Sequence, residues 1–492
     1  MRIGVISFFA APLALLGVSV FSTRIGSSHP NNVLPSKKQV EYQRMELIGF
    51  FHFNMNTFTG KEWGYGDEDP KLFNPKQLDI EQWVRVAKEA GMKELILTAK
   101  HHDGFCLWPS AYTENSIKSS PYKNGKGDIV REFSDACRKF GVKPGLYLSP
   151  WDRNNGTYGT PAYIEFYKNQ LRELLTHYGE IYEVWLDGAN GGDGFYGGAR
   201  ETRTIDRRTY YPWKEFADIV YRLQPKASIF SDAGPDVRWI GNEKGFAGET
   251  FWSTINTDSL VIGESDQRYL NTGEPGGRAW LVGVCDVSIR PGWFYHENED
   301  TLVKAPQELV DLYYKSVGRN AVLLLNIPPG PDGRIHENDI RSLKEFRSIL
   351  DETFGKNLAE SGKAAELNPR SRPPRYSPDY ILDRDNGTYW EAGADQRSAE
   401  LEIALNGVKE FDRIMLQEPV RIGQRISRFD IQAFRNNGWE SIARGTTVGY
   451  KRILRTSSVR TDKLRILIKE ANDSPAISTF ALFKASRREP GM

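Results

Sequence analysis

One carboxylate closes an apolar run. Ile181 to Gly188 reads Ile-Tyr-Glu-Val-Trp-Leu-Asp-Gly, rich in β-branched and aromatic residues and ended by a glycine turn. That pattern predicts a buried strand whose last position is Asp187. A charge is costly to bury, so a carboxylate there sits at an open strand end or has chemistry to do. Covalent catalysis by a carboxylate nucleophile is that chemistry; the plain alternative is a turn cap, a common use of Asp. Three earlier predicted strands end on further chemistry-bearing residues: Phe51-His52-Phe53-Asn54, then Lys100-His101-His102-Asp103-Gly104, then Tyr147. A lone buried histidine is usually a satisfied core residue. Four strand ends in succession bearing His, His-His, Tyr and Asp argue instead for convergence on one site.

The histidines raise the question of a metal. Two adjacent histidines on a strand point in different directions and chelate poorly together, and no H-E-x-x-H spacing is present. The reading is therefore no metal, no cofactor, and imidazoles that bind hydroxyl groups. Trp63, Trp108, Trp151, Trp239 and Trp293 lie in or near the loops that follow strands, where rings pack on the apolar face of a sugar; about half of them should serve only packing. Sugar hydrolysis ordinarily uses two carboxylates. With Asp187 as one, the candidates for the second are Asp232, Asp236, Glu243, Glu249 and Glu264, and spacing does not choose among them.

The elements that must position these residues follow from the patterning. From Glu46 to about Asp351, short apolar runs alternate with amphipathic stretches. Predicted strands are Glu46–Phe53, Glu94–Thr98, Lys143–Ser149, Ile181–Gly188, Ala227–Ser231 and Asn320–Ile327, with weaker signals at Arg238–Ile240 and Arg278–Val282. Predicted helices are Ile80–Ala90, Asp128–Phe140, Thr160–Tyr178, Trp213–Leu223, Ala305–Val317 and Asn338–Leu350. Strand–helix alternation implies parallel strands with right-handed crossovers. Seven or eight units in roughly 300 residues suggest a (β/α)₈ barrel, whose C-terminal strand ends share one face. An open doubly wound sheet is disfavoured, because no G-x-G-x-x-G turn follows the first strand. Beyond Phe354 come Pro369, Pro373 and Pro374, then short alternating runs such as Ala399–Ala404, Phe411–Leu416, Phe429–Phe434 and Leu464–Ile468. These read as an all-β sandwich.

The chain has 492 residues and a net charge of +1, which gives no electrostatic case for nucleic acid or an anionic membrane surface. Its three cysteines, Cys106, Cys137 and Cys285, form no CxxC pair, so neither a zinc site nor a disulfide framework is expected. Arg2 precedes an uncharged, largely apolar run from Ile3 to Ser22 that reads as a secretory signal cleaved near Ser22, although its length also suits an uncleaved anchor. Without Cys after it, a lipoprotein anchor is unsupported. The expected organisation is a signal over residues 1–25, a catalytic barrel over 26–353, and a linker with the β-sandwich over 354–492. Export to the periplasm or outside is expected, with no stable membrane association after cleavage.

Several segments resemble one known family. Phe51-His-Phe-Asn54, Glu62-Trp63, Ala99-Lys-His-His-Asp-Gly-Phe105, Gly145-Leu-Tyr-Leu-Ser149, Val184-Trp-Leu-Asp-Gly188 and Leu323-Leu-Leu-Asn-Ile-Pro-Pro-Gly-Pro-Asp-Gly333 run in the order found in glycoside hydrolase family 29 α-L-fucosidases. The resemblance implies a retaining α-L-fucosidase with Asp187 as nucleophile. It also implies a fucose pocket lined by His52, Glu62, Trp63, His101, His102 and Tyr147. Asp232 to Glu243, ending Gly-Asn-Glu, is similar to the subfamily acting on α-1,3/4-linked fucose of branched, Lewis-type glycans; there that Glu is the acid/base, which selects Glu243. Ser288-Ile-Arg-Pro-Gly-Trp-Phe-Tyr295 is similar to the same subfamily and adds Trp293 as a pocket wall. Thr388-Tyr-Trp-Glu391 faintly resembles discoidin-like sandwiches. The implied partner is a fucosylated oligosaccharide or glycoconjugate. The alternatives are a broad-specificity α-L-fucosidase, another retaining barrel glycosidase, or a sugar-binding protein with an inactive barrel; the presence of both expected carboxylates argues against the last.

Overall fold

A computed structural model describes residues 33–367, 376–383 and 385–489. The signal segment and the three linker prolines lie outside the described residues. Among those residues, no helix is long and apolar enough to cross a membrane.

Eight parallel strands close a barrel. In chain order they are β1 (Leu47–Phe51), β2 (Glu94–Lys100), β3 (Lys143–Leu148), β4 (Glu183–Trp185), β5 (Ser228–Ser231), β6 (Val237–Trp239), β7 (Val282–Ser288) and β8 (Val322–Asn326). Each pairs with the next, and β8 returns to β1. Buried on both faces, β1, β2, β7 and β8 are fully inside, as parallel barrel strands must be. The outer helices begin and end where the sequence signals them. In Ile129–Phe140 the Asp128 side chain accepts from Arg131 N at 2.9 Å, and Gly141 ends the helix in the left-handed region (φ 67°).

The alternation is not strict. β5 passes directly to β6 through residues 232–236, with no helix. Residues 240–281 then form an excursion carrying a short helix, Gln267–Thr272, a 3₁₀ turn, Thr257–Ser259, and a small antiparallel pair, Thr254–Ile255 with Ala279–Trp280. The expected strand Arg278–Val282 thus resolves into an arm of that pair and the true barrel strand β7. Gly283 and Asp286 inside β7 weaken its sequence signal. Arg238 anchors the excursion. Its wholly buried guanidinium donates to the carbonyls of Leu270, Ser253, Leu281 and Trp252.

The C-terminal domain is all β. One six-stranded sheet contains Lys363–Leu367, Ala399–Gln417, Ile426–Arg435, Gly438–Gly445, Arg452–Ala471 and Thr479–Phe483. Two runs expected as separate strands, Ala399–Ala404 and Phe411–Leu416, belong to a single bent 19-residue strand with register shifts after Ala404 and Phe411; bulges let one strand turn a corner without ending. The domain is locked to the barrel by buried polar contacts. Glu46, before β1, accepts from Tyr313 and Tyr450 hydroxyls at 2.8 Å each and from Lys451 at 2.6 Å. Asn320, before β8, accepts from Tyr450 N at 2.7 Å.

Candidate active site

The C-terminal strand ends surround a small pocket lined by Phe50, His52, Glu62, Trp63, His101, His102, Tyr147, Trp185, Asp187, Ala189, Glu243, Asp286 and Trp293. All nine residues singled out from the sequence are therefore brought to one place. A larger open groove of about 840 Å³, lined by Tyr295, His296 and His336 among others, lies beside it. The smaller pocket is the site, because Asp187 and Glu243 face it.

Asp187 is not the last strand residue. β4 stops at Trp185, and Asp187 Oδ1 accepts from Ala189 N at 2.6 Å, a local turn that draws the chain out of the ladder. Its Oδ2 accepts from the Tyr147 hydroxyl at 2.9 Å. Burial raises the Asp187 pKa, and those two hydrogen bonds oppose the rise. The Asp187 side chain keeps 23% of its surface open, enough for a ligand atom to reach it.

Glu243 hangs over the pocket on the loop after β6. Its Oε2 accepts from Trp293 Nε1 at 3.1 Å. Crowding by protein raises its pKa, the Trp293 bond opposes this, and the charges of Asp187 and Glu62 raise it further. The side chain is nevertheless open to solvent. None of the other four candidate acids lines the pocket. Asp236 bonds Lys38, Tyr221 and Ile229 N at the start of β6, the opposite end of the barrel. Asp232 accepts from Gly263 N at 2.8 Å, and burial pushes it up to about 6. Glu249 pairs with Arg319 and Arg452, and Glu264 with Arg208.

Glu62 lines the pocket but is already engaged. It accepts from Trp293 N at 2.9 Å and Phe294 N at 3.3 Å, and lies 2.7 Å from His296 Nε2. It thus holds the loop that presents Trp293. His101 and His102, expected to diverge along a strand, follow the end of β2 at Lys100. Freed from the pleat, both rings face the pocket, with centroids 4.2 Å apart. Burial pushes His52 and His102 down to about 3 and His101 well below its ordinary value, so all three are neutral at pH 7. Of the tryptophans, Trp63 (54% exposed) and Trp293 line the pocket. Trp108 is buried on Glu173, Trp151 bonds Tyr196 behind His102, and Trp239 bonds Asp286.

Sequence reasoning missed Trp185 and Asp286. Trp185 stacks on Phe230 at 4.0 Å; it lies two residues before Asp187, and period 2 places such a pair on one face. Asp286, inside β7, is a fourth carboxyl in the pocket, beside Asp187, Glu243 and Glu62. Burial raises its pKa well above the ordinary value, and the nearby Glu243 charge adds to this. Its Oδ1 accepts from Trp239 Nε1 at 2.9 Å.

The arrangement joins one held carboxylate, a second acid over the pocket mouth, neutral imidazoles and aromatic walls. Comparison with known proteins agrees. Residues 35–353 match the alpha-L-fucosidase family model, and residues 364–482 match the F5/8 type C domain. The chain is 42% identical over 483 residues to Arabidopsis thaliana alpha-L-fucosidase 1, covering 97% of this chain and 92% of that one. A glycoside hydrolase 29 family member from an unknown rumen bacterium superimposes with a TM-score of 0.83 at 44% identity, over 94% of this chain and 79% of that one. A Ruminococcus gnavus GH29 fucosidase solved with fucose superimposes with a TM-score of 0.83 at 34% identity, over 93% and 96%.

Proposed function

The chain belongs to the alpha-L-fucosidase family of glycoside hydrolases, and we propose that it removes α-1,3/4-linked L-fucose from branched, Lewis-type glycans with retention of configuration. The carrying observation is the pairing of two acids across one pocket: Asp187, held by Tyr147 and Ala189, and Glu243, held by Trp293. The neighbouring solved fucosidase holds fucose, which supports a fucosylated ligand here.

In the proposed reaction, an Asp187 oxygen attacks the anomeric carbon. The bond to the leaving sugar breaks as Glu243 donates its proton to the departing oxygen. A covalent fucosyl-enzyme forms. Water then attacks the same carbon, Glu243 takes the water proton, and the Asp187 ester breaks, so two inversions give net retention. This needs Asp187 ionised and Glu243 protonated at rest. Two hydrogen bonds favour the first, and two neighbouring carboxylates favour the second. Phe50, Trp185 and Trp293 offer apolar surface suited to a methyl group such as the one a 6-deoxy sugar carries. His52, His101, His102 and Trp63 contact the sugar in this reading, and Glu62 holds the Trp293 loop. The linkage preference is supported by the segments ending in Glu243 and Tyr295. The apolar run before Ser22 supports export, and N-terminal sequencing of the mature protein tests it.

The test of the function compares an aryl α-L-fucoside with a fucosylated, branched Lewis-type trisaccharide. Fucose released mainly from the trisaccharide supports the linkage preference. Equal turnover of both retires the preference and keeps the fucosidase.

A further inference from the structure

Behind each pocket histidine stands a polar group whose own bonds leave it one role. Asn326 Nδ2 faces the Trp293 carbonyl at 2.8 Å and Ser288 Oγ at 2.9 Å. A carbonyl only accepts, so the amide nitrogen is fixed on that side. Its oxygen then accepts from the His52 backbone N–H at 3.2 Å and lies 2.9 Å from His52 Nδ1. The proton must sit on Nδ1, which leaves His52 Nε2 as a bare acceptor. Ser149 has one hydroxyl proton and gives it to the Trp151 carbonyl at 2.7 Å. His102 Nδ1, 2.7 Å from the same oxygen, must donate to it, so His102 Nε2 is also an acceptor.

His101 is the opposite case. Asn56 Nδ2 donates to the Glu62 carbonyl at 3.1 Å, which fixes that amide too, and it lies 3.3 Å from His101 Nδ1. His101 Nδ1 accepts, so its proton sits on Nε2. Gly64 lets the Glu62 loop close this tightly, since a Cβ there would lie 2.8 Å from Asn56 Oδ1. His102 Nε2 stands 3.9 Å from Asp187 Oδ2; with no proton on either, the two acceptors converge on a position where a ligand hydroxyl would donate.

We propose that Asn326, Asn56 and Ser149 are positioning residues that hold His52 and His102 as acceptors and His101 as a donor, so that each ligand hydroxyl meeting these rings has its proton direction set by the protein. The ligand class rests on the fucoside reading above; the proton positions do not. A sugar that lacks a hydroxyl at one of these positions leaves a buried nitrogen unpaired, and such mismatches discriminate strongly.

The direct test is nitrogen NMR of the full chain labelled with ¹⁵N-histidine, at pH 7 without ligand, each ring assigned by its His→Gln variant. The expected spectrum shows Nδ1–H for His52 and His102 and Nε2–H for His101. Nε2–H on His52 or His102, or Nδ1–H on His101, overturns the proposal. Ser149→Ala should release the His102 tautomer and lower kcat/KM for an aryl α-L-fucoside by about 10- to 100-fold, while Ser149→Thr, which keeps the hydroxyl, restores both. An unchanged His102 signal and rate in Ser149→Ala contradicts it. Should that variant not fold, the wild-type spectrum decides alone. The assigned tautomers without any fucose release would retire the substrate reading and leave this assignment standing.

Discussion

Strand β4 carries acids toward both ends of the barrel. Glu183 begins it and Asp187 follows its end, and both sit in the same apolar run. At the closed end, Glu183 is fully buried, as is Glu94 at the start of β2, and the Tyr42 hydroxyl lies close by. Burial and the neighbouring Glu94 charge push Glu183 well above its ordinary value, and burial pushes Glu94 up to about 7. At the open end, Asp187 meets a tyrosine hydroxyl, a backbone N–H and open space. The difference teaches that an expensive carboxylate in a strand does not mark a site by itself. Donors that favour its charge, and room for a ligand, do.

The largest effect should break the symmetry of the two acids outright. Asp187→Asn should lower kcat by about 10³-fold or more, as removal of a nucleophile does, with the melting temperature little changed. Glu183→Gln should keep kcat per folded molecule. Steady-state kinetics with a thermal melt checks both. Next, Glu243→Ala should cost about 10²- to 10⁴-fold on an oligosaccharide, the usual span of acid–base assistance. The loss should be smaller on an aryl fucoside with an activated leaving group, and the basic limb of the pH–rate profile should disappear.

Smaller effects refine the comparison. Burial pushes the Asp286 carboxyl toward its uncharged form, so Asp286→Asn, which keeps a hydrogen-bonding group of the same shape, should leave kcat/KM within about threefold. A loss of a hundredfold would mean that its charge or its proton takes part. At the closed end, the sign follows from the raised pKa. Between the ordinary 4.5 and about 7, folded Glu94 keeps a proton that the unfolded chain releases, so stability falls as pH rises through that window. Glu94→Gln should flatten that fall and stabilise the protein above pH 7 by about 1–2 kcal/mol, read by denaturant melts at pH 5 and pH 8.

The barrel was legible because strand and helix periods alternate plainly from Leu47 to Phe354. The site was legible because strand ends converge whatever their spacing along the chain. What stayed hidden has physical causes. β7 reads poorly since Gly283 and Asp286 interrupt it, and Asp286 was lost with it, although a carboxylate inside an apolar run is the same signal that exposed Asp187. Glu183 carried that signal too and is not a site residue, so the pattern needs the end of the barrel before it can be used. The missing helix between β5 and β6 was legible as spacing, since the predicted strands Ala227–Ser231 and Arg238–Ile240 leave too few residues between them for a crossover helix. Period 2 breaks where Lys100 leaves the sheet, which is why His101 and His102 face the same way. Ala404 to Lys409 holds a bulge, and bulged strands read as two.

The central claim is that Asp187, and no other buried acid, forms the bond to the sugar. Incubation with 2-deoxy-2-fluoro-α-L-fucosyl fluoride, which slows release of a covalent intermediate, followed by peptide mass spectrometry, tests it directly. The account predicts one fluorofucosyl group on the peptide containing Asp187. A label on Asp286, Glu243 or Asp232, or turnover that inverts the anomeric configuration with no label at all, would contradict it.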